Sequence, residues 1–371
     1  MSERGGALRS APRSATRSAT IDEKTALITG IGGQDGAILA GQLLEKGYRV
    51  VGAYRQDSPE GFWRLEAVGI RNHPRLLLEP FDLADADRCL DLVRSRKPAE
   101  VYNLGGLSFI GQSFSEPLRT AQTTALGAMN LLEAIRLTNP QIRFCQASSS
   151  EMFGHATQSP QDEDTPFHPR SPYAVAKLFA HWATINYRES FGVFAASAIL
   201  FNHESPLRGS GFVTRKITES VARIRLGQQE VVELGDLDAR RDWGYAPEYM
   251  QGMWRMLQVD VADSFVLATG RLTSVREFAE CAFRVAGIEL RWLGTGLNET
   301  GVDAHSGKLR VKVSGEFFRP AESQPLCGDS CKAARDLGWT ASTRVDEICR
   351  LMVEADMQRL SAEAEQAGEK R

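Results

Sequence analysis

Residues 25–47, TALITGIGGQDGAILAGQLLEKG, constrain the fold more than any other stretch. A continuous apolar run ends in glycine, and Gly30, Gly33 and Gly36 follow in G-x-x-G-x-x-G spacing. A helical pattern opens at once, with Ile38, Leu39 and Leu43 on one face. A strand without polar alternation has to be covered on both sides. The rhythm then recurs: RVVGAY (49–54), RLLLEPFD (75–82), AEVYNLG (99–105), IRFCQAS (142–148) and VFAASAILF (193–201) are short apolar runs, and helical stretches separate most of them. Such alternation predicts an α/β fold, a Rossmann-type doubly wound parallel sheet whose binding groups collect at the carboxyl ends of the strands.

After about Phe201 the rhythm breaks. Helical VTRKITESVARIRLG (213–227) and SVREFAECAFRVAG (274–287) accompany the isolated strand FVLATG, 293–308 reads as a loop, and a last helix is expected from about Val345 to Ala362. The expected division is a cofactor-binding domain over 25–204 and, over 205–371, a smaller α/β substrate-binding lobe that returns elements to the first. Residues 1–24 differ. RSAPRSATRSAT is a four-residue arginine repeat with almost no apolar bulk, so a disordered tail is expected.

Composition sets limits on partners. At 371 residues, 42% apolar and 25% charged, the chain can bury a sizeable core. A net charge of −3 gives no electrostatic reason to expect nucleic acid or a membrane surface. No apolar run approaches the ~18 residues of a membrane span. Four of the six cysteines fall in strand- or helix-type segments and read as small hydrophobes. Cys327 and Cys331 in CGDSC have no second Cys/His pair near them in sequence, so no metal site is expected. A reducing cytoplasm is the expected location.

The glycine loop carries the first chemistry. Glycines between a buried strand and a helix allow a tight turn and close approach to a pyrophosphate at the positive end of the helix. A dinucleotide site is therefore expected. At the end of the second strand an acidic residue would bond the ribose of NAD, whereas arginine suits the 2′-phosphate of NADP. GAYRQDS puts Arg55 there, which favours NADP over NAD, with Asp57 pulling the other way.

Tyr173 and Lys177 in SPYAVAK are four apart and share a helix face. A phenol titrates near 10, too high for a base at neutral pH, and a nearby ammonium would lower it. Ser149 and Glu151 in QASSSEMFGH follow a strand at its carboxyl end. From the residues alone they read equally as catalytic groups or as a turn and helix cap.

Together ALITGIGGQDG, QASSSEMFG, SPYAVAK, LFNHESPLRG, FVTRKIT, LGDLDARRDWG, SVREF and FFRPAE resemble the GDP-mannose 4,6-dehydratases, extended short-chain dehydrogenases/reductases, from about Thr25 to Met357. The resemblance implies that Tyr173 takes the proton of the sugar 4-hydroxyl as C4 is oxidised. Glu151 would then remove the C5 proton, and Ser149, where the family usually has threonine, would bond the 4-oxygen. Loss of the 6-hydroxyl and return of hydride to C6 would complete the reaction. It implies NADP contacts from Gly30, Ile31, Gly32, Gly33, Gln34, Asp35 and Gly36, and from Arg55, Gln56, Asp57 and Ser58. Asp82, Leu83, Leu104, Gly105, Gly106, Leu107, Ser108, Tyr173, Lys177, His203 and Arg208 extend that set. For a GDP-sugar, GDP-mannose above all, it implies Ser108, Ser149, Glu151, Asn202, Lys216, Arg241, Arg319 and Glu322, the arginines matching a diphosphate with their planar fork. It also implies a homodimer or homotetramer.

Some positions depart from the family. RQDS replaces RRSS, LGGLS places Leu107 where a polar residue is usual, QDGAILA has Ile38, and Arg119 and TTALG differ as well. A dehydratase acting on another GDP-hexose or a GDP-heptose is one alternative. An epimerase or 4-reductase using Tyr173 and Lys177 would not need Glu151, and a dinucleotide-binding sensor would need none of the three.

Overall fold

Leu27 and Ile28 are adjacent and both fully buried, yet they belong to different apolar clusters, because successive strand side chains point to opposite faces. The same holds for Val50 and Val51, Val101 and Tyr102, and Phe144 and Cys145. These strands therefore form the middle layer of a three-layer domain. In this computed structural model the described residues are 24–56, 61–317 and 325–369. All but Lys24 of the expected tail over 1–24, together with Asp57, Ser58, Arg319 and Glu322, lies outside them.

In chain order the first half comprises β1 (Thr25–Thr29), α1 (Gln34–Glu45), β2 (Arg49–Tyr54), α2 (Trp63–Ala67), β3 (Leu76–Pro80), α3 (Ala86–Arg96) and β4 (Glu100–Asn103). It continues with α4 (Ile110–Ser115), α5 (Pro117–Thr120), a π-helical stretch (Ala121–Leu126), α6 (Gly127–Thr138), β5 (Arg143–Ser149), α7 (Pro172–Phe191) and β6 (Ala195–Leu200). The second half brings β7 (Asn202–Glu204), α8 (Val213–Arg225), β8 (Val232–Leu234), β9 (Arg240–Arg241), β10 (Trp243–Tyr245), α9 (Ala246–Met256) and β11 (Ser264–Leu267). It closes with β12 (Thr273–Ser274), α10 (Val275–Val285), β13 (Leu290–Leu293), β14 (Thr300–Asp303), β15 (Leu309–Val313), α11 (Cys331–Leu337) and α12 (Val345–Glu369).

The main sheet has the order β11-β6-β5-β4-β1-β2-β3, and all six pairings are parallel. Helices α1, α9 and α11 cover one face through Leu39, Leu43, Met250, Met253 and Leu337. On the other face α3, α6 and α7 contribute Val93, Leu131, Ile135 and Tyr187. Truncating a leucine such as Leu27 to alanine in a layer this dry costs about 2–5 kcal/mol. A third cluster joins Ile217 and Val221 of α8, Phe278 and Phe283 of α10, and Ile348 and Met352 of α12.

Strand β11, from the second half, is the seventh strand of the main sheet and pairs with β6. Two expectations need correction. Residues 293–308 are not a loop: β13 and β14 pair antiparallel, and β15 and β8 complete a four-stranded sheet. Gly294, Gly296 and Gly307 take left-handed turns there, and so many turn residues mask the short alternation that buries Val302 and Val311. The last helix runs on to Glu369, because the alanines, glutamates and glutamine of SAEAEQAGE are good helix formers that extend a helix already nucleated by its buried half. Among the described residues no helix is long and apolar enough to cross a membrane.

Candidate active site

The parallel order places the carboxyl ends of β1 to β6 along one edge, and there the glycine loop lies. Gly30 has φ +72°, and a Cβ on it would stand 2.9 Å from the Leu104 carbonyl. A Cβ on Gly36 would stand 2.4 Å from the Gly30 oxygen. Side chains at these two positions would push the loop away from both α1 and the end of β4. Gly33 caps α1 without any side-chain bond, leaving the positive helix end for an anion.

A cleft of about 390 Å³ runs along this edge. It is lined by Gly30 and Gly32 to Gly36, by Arg55 and Gln56 after β2, by Asp82 and Leu83 after β3, by Leu104 to Ser108 after β4, and by Arg208. Ile31 is fully buried in the core instead. The glycine turn, the uncapped helix end and the elongated cleft fit a dinucleotide.

Strand β5 ends on Ser149, whose Oγ accepts from the Glu151 amide at 3.2 Å and so caps the short turn Ser150–Met152. Ser171 caps α7 by accepting from the Ala174 amide at 3.1 Å, and Pro172 occupies the first helical position. Helix α7 thereby lays Tyr173 and Lys177, both buried, against the end of β5. Lys177 Nζ donates to the Ala147 carbonyl at 2.7 Å and stands 5.9 Å from the centre of the Tyr173 ring. Ser149 lies near enough to the Tyr173 phenol to hold its titration down. The capping and the catalytic readings of Ser149 are thus compatible: one hydroxyl holds the turn and faces the phenol.

Burial pushes Tyr173 up to about 12; Ser149 opposes this, Glu151 adds to it, Arg208 opposes and Asp35 adds. Burial pushes Lys177 down to about 8, against the charge of Asp35. Burial raises Asp35, but His203, Gln34 and Arg208 outweigh it and hold the carboxyl well below its usual range. His203 is half of that pair, its Nε2 3.1 Å from Asp35 Oδ2.

The other positions are spread through the second half. Asn202 precedes His203 on β7, which pairs with β10. Lys216 lies on α8 with Nζ 3.3 Å from the centre of the Phe317 ring, and Arg241 lies on β9 opposite Thr273.

Two features of the cleft have no sequence signature. Arg64 is buried on α2 and clasps both halves, donating from Nε to the Leu207 carbonyl at 2.7 Å and from Nη1 to Gly32 at 3.1 Å. A single arginine in a five-residue helix carries no motif. The π-helical stretch brings Thr123 to the cleft and lets Thr124 Oγ1 accept from the Leu107 amide at 3.3 Å. A reading at 3.6 residues per turn cannot anticipate it.

With this geometry in hand, comparisons with known proteins place the chain. The family described as GDP-mannose 4,6 dehydratase matches residues 27–352. A GDP-mannose 4,6-dehydratase of Sinorhizobium fredii (strain HH103) is 48% identical over 341 residues, 91% of this chain and 97% of its own. The GDP-mannose 4,6 dehydratase of Homo sapiens is 45% identical over 342 residues, 90% of this chain and 91% of its own. Among solved structures, RMD of Pseudomonas aeruginosa complexed with NADPH superposes with a TM-score of 0.72 at 24% identity, covering 91% of this chain and 99% of its own. The dTDP-glucose 4,6-dehydratase of Bacillus anthracis in complex with NAD gives 0.76 at 15% identity, over 91% and 98%. These two show a shared fold.

Proposed function

The chain belongs to the GDP-mannose 4,6-dehydratase family, and from that membership we propose that it converts GDP-D-mannose to GDP-4-keto-6-deoxy-D-mannose and water. The observation that carries this reading is the convergence of Ser149, Glu151, Tyr173 and Lys177 at the end of β5. An epimerase or reductase has use for the tyrosine and lysine but not for a second base.

When bound, an oxidised nicotinamide dinucleotide supplies the hydride acceptor and a positive charge. Tyr173 removes the proton of the 4-hydroxyl, with Lys177 one turn away favouring the phenolate, and Ser149 holds the 4-oxygen. The ketone at C4 acidifies the C5 proton, which Glu151 takes. Electrons from the C5–H bond form the C5–C6 double bond as the 6-hydroxyl leaves with a proton as water. Protonation at C5 and hydride at C6 then give the 6-deoxy ketone. Asn202, Lys216 and Arg241 are proposed to hold the GDP part, with Arg319 and Glu322 by family resemblance. Incubation with GDP-mannose should give a product lighter by one water; an isomer of unchanged mass would refute the proposal.

NADP is the proposed cofactor, since Arg55 lines the cleft directly after β2. Replacing Arg55 with Asp should weaken NADP binding by about 1.5–3 kcal/mol, roughly 10- to 100-fold, with NAD affected less. Calorimetric titration of both cofactors checks this, and equal affinity of the unmodified protein for the two would contradict it.

Self-association is also proposed. Val175, Phe179 and Trp182 are 56%, 40% and 55% exposed along one face of α7, and Leu118 beside it is 78% exposed. A homodimer or homotetramer would cover this face. Sedimentation at the mass of one 40.9 kDa chain would rule it out. The cytoplasm is the proposed location.

A further inference from the structure

His203 is bonded in a way that the proposed chemistry does not account for. The ring is 7% exposed. Its Nδ1 lies 2.7 Å from the Phe201 carbonyl oxygen and its Nε2 lies 3.1 Å from Asp35 Oδ2. A carbonyl and an ionised carboxylate can only accept, and a neutral imidazole has one N–H to give. Both contacts are hydrogen bonds only when both nitrogens are protonated. The ring also stacks on Tyr249 of α9, centroids 4.8 Å apart and planes 21° apart, a face that attracts a cation.

His181 provides the contrast. It is also buried, but its Nδ1 faces the Ser197 hydroxyl at 2.8 Å, which can donate as well as accept. A neutral ring satisfies that contact.

The pair sits in a wider knot. Gln34 Nε2 donates to Asp35 Oδ1 at 3.0 Å and to the His203 carbonyl at 3.1 Å, and Ser205 Oγ donates to Gln34 Oε1 at 2.8 Å. These bonds tie the start of α1, and with it the glycine loop, to the residues just beyond β6.

We infer that His203 is a fixed imidazolium, and that the Asp35–His203 ion pair is a positioning device that clasps the glycine loop to β7 and cancels the Asp35 charge beside Tyr173 and Lys177. The charged groups around it act in opposite directions, and the balance favours the protonated ring. Burial lowers His203, Asp35 more than offsets that, and Arg208 opposes, leaving the ring raised. Asp35 reaches α7 as well, disfavouring the Tyr173 phenolate and favouring the Lys177 ammonium. Glu204, next to His203, is paired with Arg208 at 3.0 Å. The contribution of His203 to stability is present below the ordinary histidine value and lost as pH climbs through its raised one. That of Asp35 is present above the ordinary carboxylate value and lost in acid.

The test has two arms, of which only the second rests on the dehydratase reading. In full-length protein labelled with ¹⁵N-histidine, both ring nitrogens of His203 should report protonation at neutral pH, while His181 reports a neutral ring. His203→Asn identifies the signals. A neutral His203 in the unmodified protein overturns the inference, whatever the variants do. In the kinetic arm, His203→Asn leaves the Asp35 charge uncompensated. The acid limb of the pH profile with GDP-mannose should then move up by about one unit, tenfold in rate on that limb. Asp35→Asn together with His203→Asn should bring the limb back toward that of the unmodified protein. Losses that simply add in the double variant would overturn the compensating role. Failure of the unmodified protein to turn over GDP-mannose would refute the function and leave the protonation result standing.

Discussion

Glu151→Gln is expected to lower formation of the 6-deoxy product by about 10²- to 10⁴-fold, the usual cost of losing a general base. Glutamine keeps the size of the side chain and its capacity to hydrogen-bond, and the amide of residue 151 still donates to Ser149, so the turn after β5 should persist. What disappears is the carboxylate proposed to take the C5 proton. Oxidation at C4, assigned in the proposal to Tyr173 and Lys177, should survive in part. The variant should therefore hold some 4-ketohexose, which borodeuteride added at quench would trap with deuterium at C4. Exchange of C5 hydrogen with deuterated water should fall in parallel with product. Elimination at a near-normal rate would reduce Glu151 to part of a capped turn.

Tyr173→Phe should cost more, about 10³-fold or beyond, because every later step waits on the ketone. Neither trapped 4-ketohexose nor C5 exchange should be seen. The fold should be intact, since the ring stays buried and the main loss is the hydroxyl near Ser149. The pH dependence follows from the signs. A base has to lose its proton, and burial sets Tyr173, at about 12, above Lys177, at about 8. The rate should therefore climb with pH as the phenolate fraction grows and level off above about 8, where the ammonium proposed to favour the phenolate is lost. Tyr173→Phe should abolish this acid limb. A variant that keeps both the limb and the trapped ketone would mean that another group takes the 4-hydroxyl proton.

How much of this was legible in the sequence differs from one part of the molecule to another. The sheet was, because Leu27 and Ile28 are both apolar and both buried, and a strand covered on two faces announces itself as an unbroken run. The glycine loop was legible because Gly30 and Gly36 tolerate no Cβ. The shared helix face of Tyr173 and Lys177 was legible by spacing, but the roles proposed for Ser149 and Glu151 came only through family resemblance, since a serine and a glutamate after a strand look the same in any capped turn. The contact of Asp35 with His203 spans 168 positions and has no local pattern. Arg64 was invisible for the same reason. The hairpin of β13 and β14 was hidden by its glycines, which read as loop residues although they serve the turns between strands.

The most direct test of the account is the fate of one hydrogen. GDP-mannose carrying deuterium at C4, incubated with the unmodified protein and cofactor in ordinary water, should give a product lighter by one water. By NMR the deuterium should appear at C6, with ordinary hydrogen from solvent at C5. Deuterium retained at C4 in a sugar nucleotide of unchanged mass would mean an epimerase, and deuterium washed out to solvent would contradict hydride return within one active site.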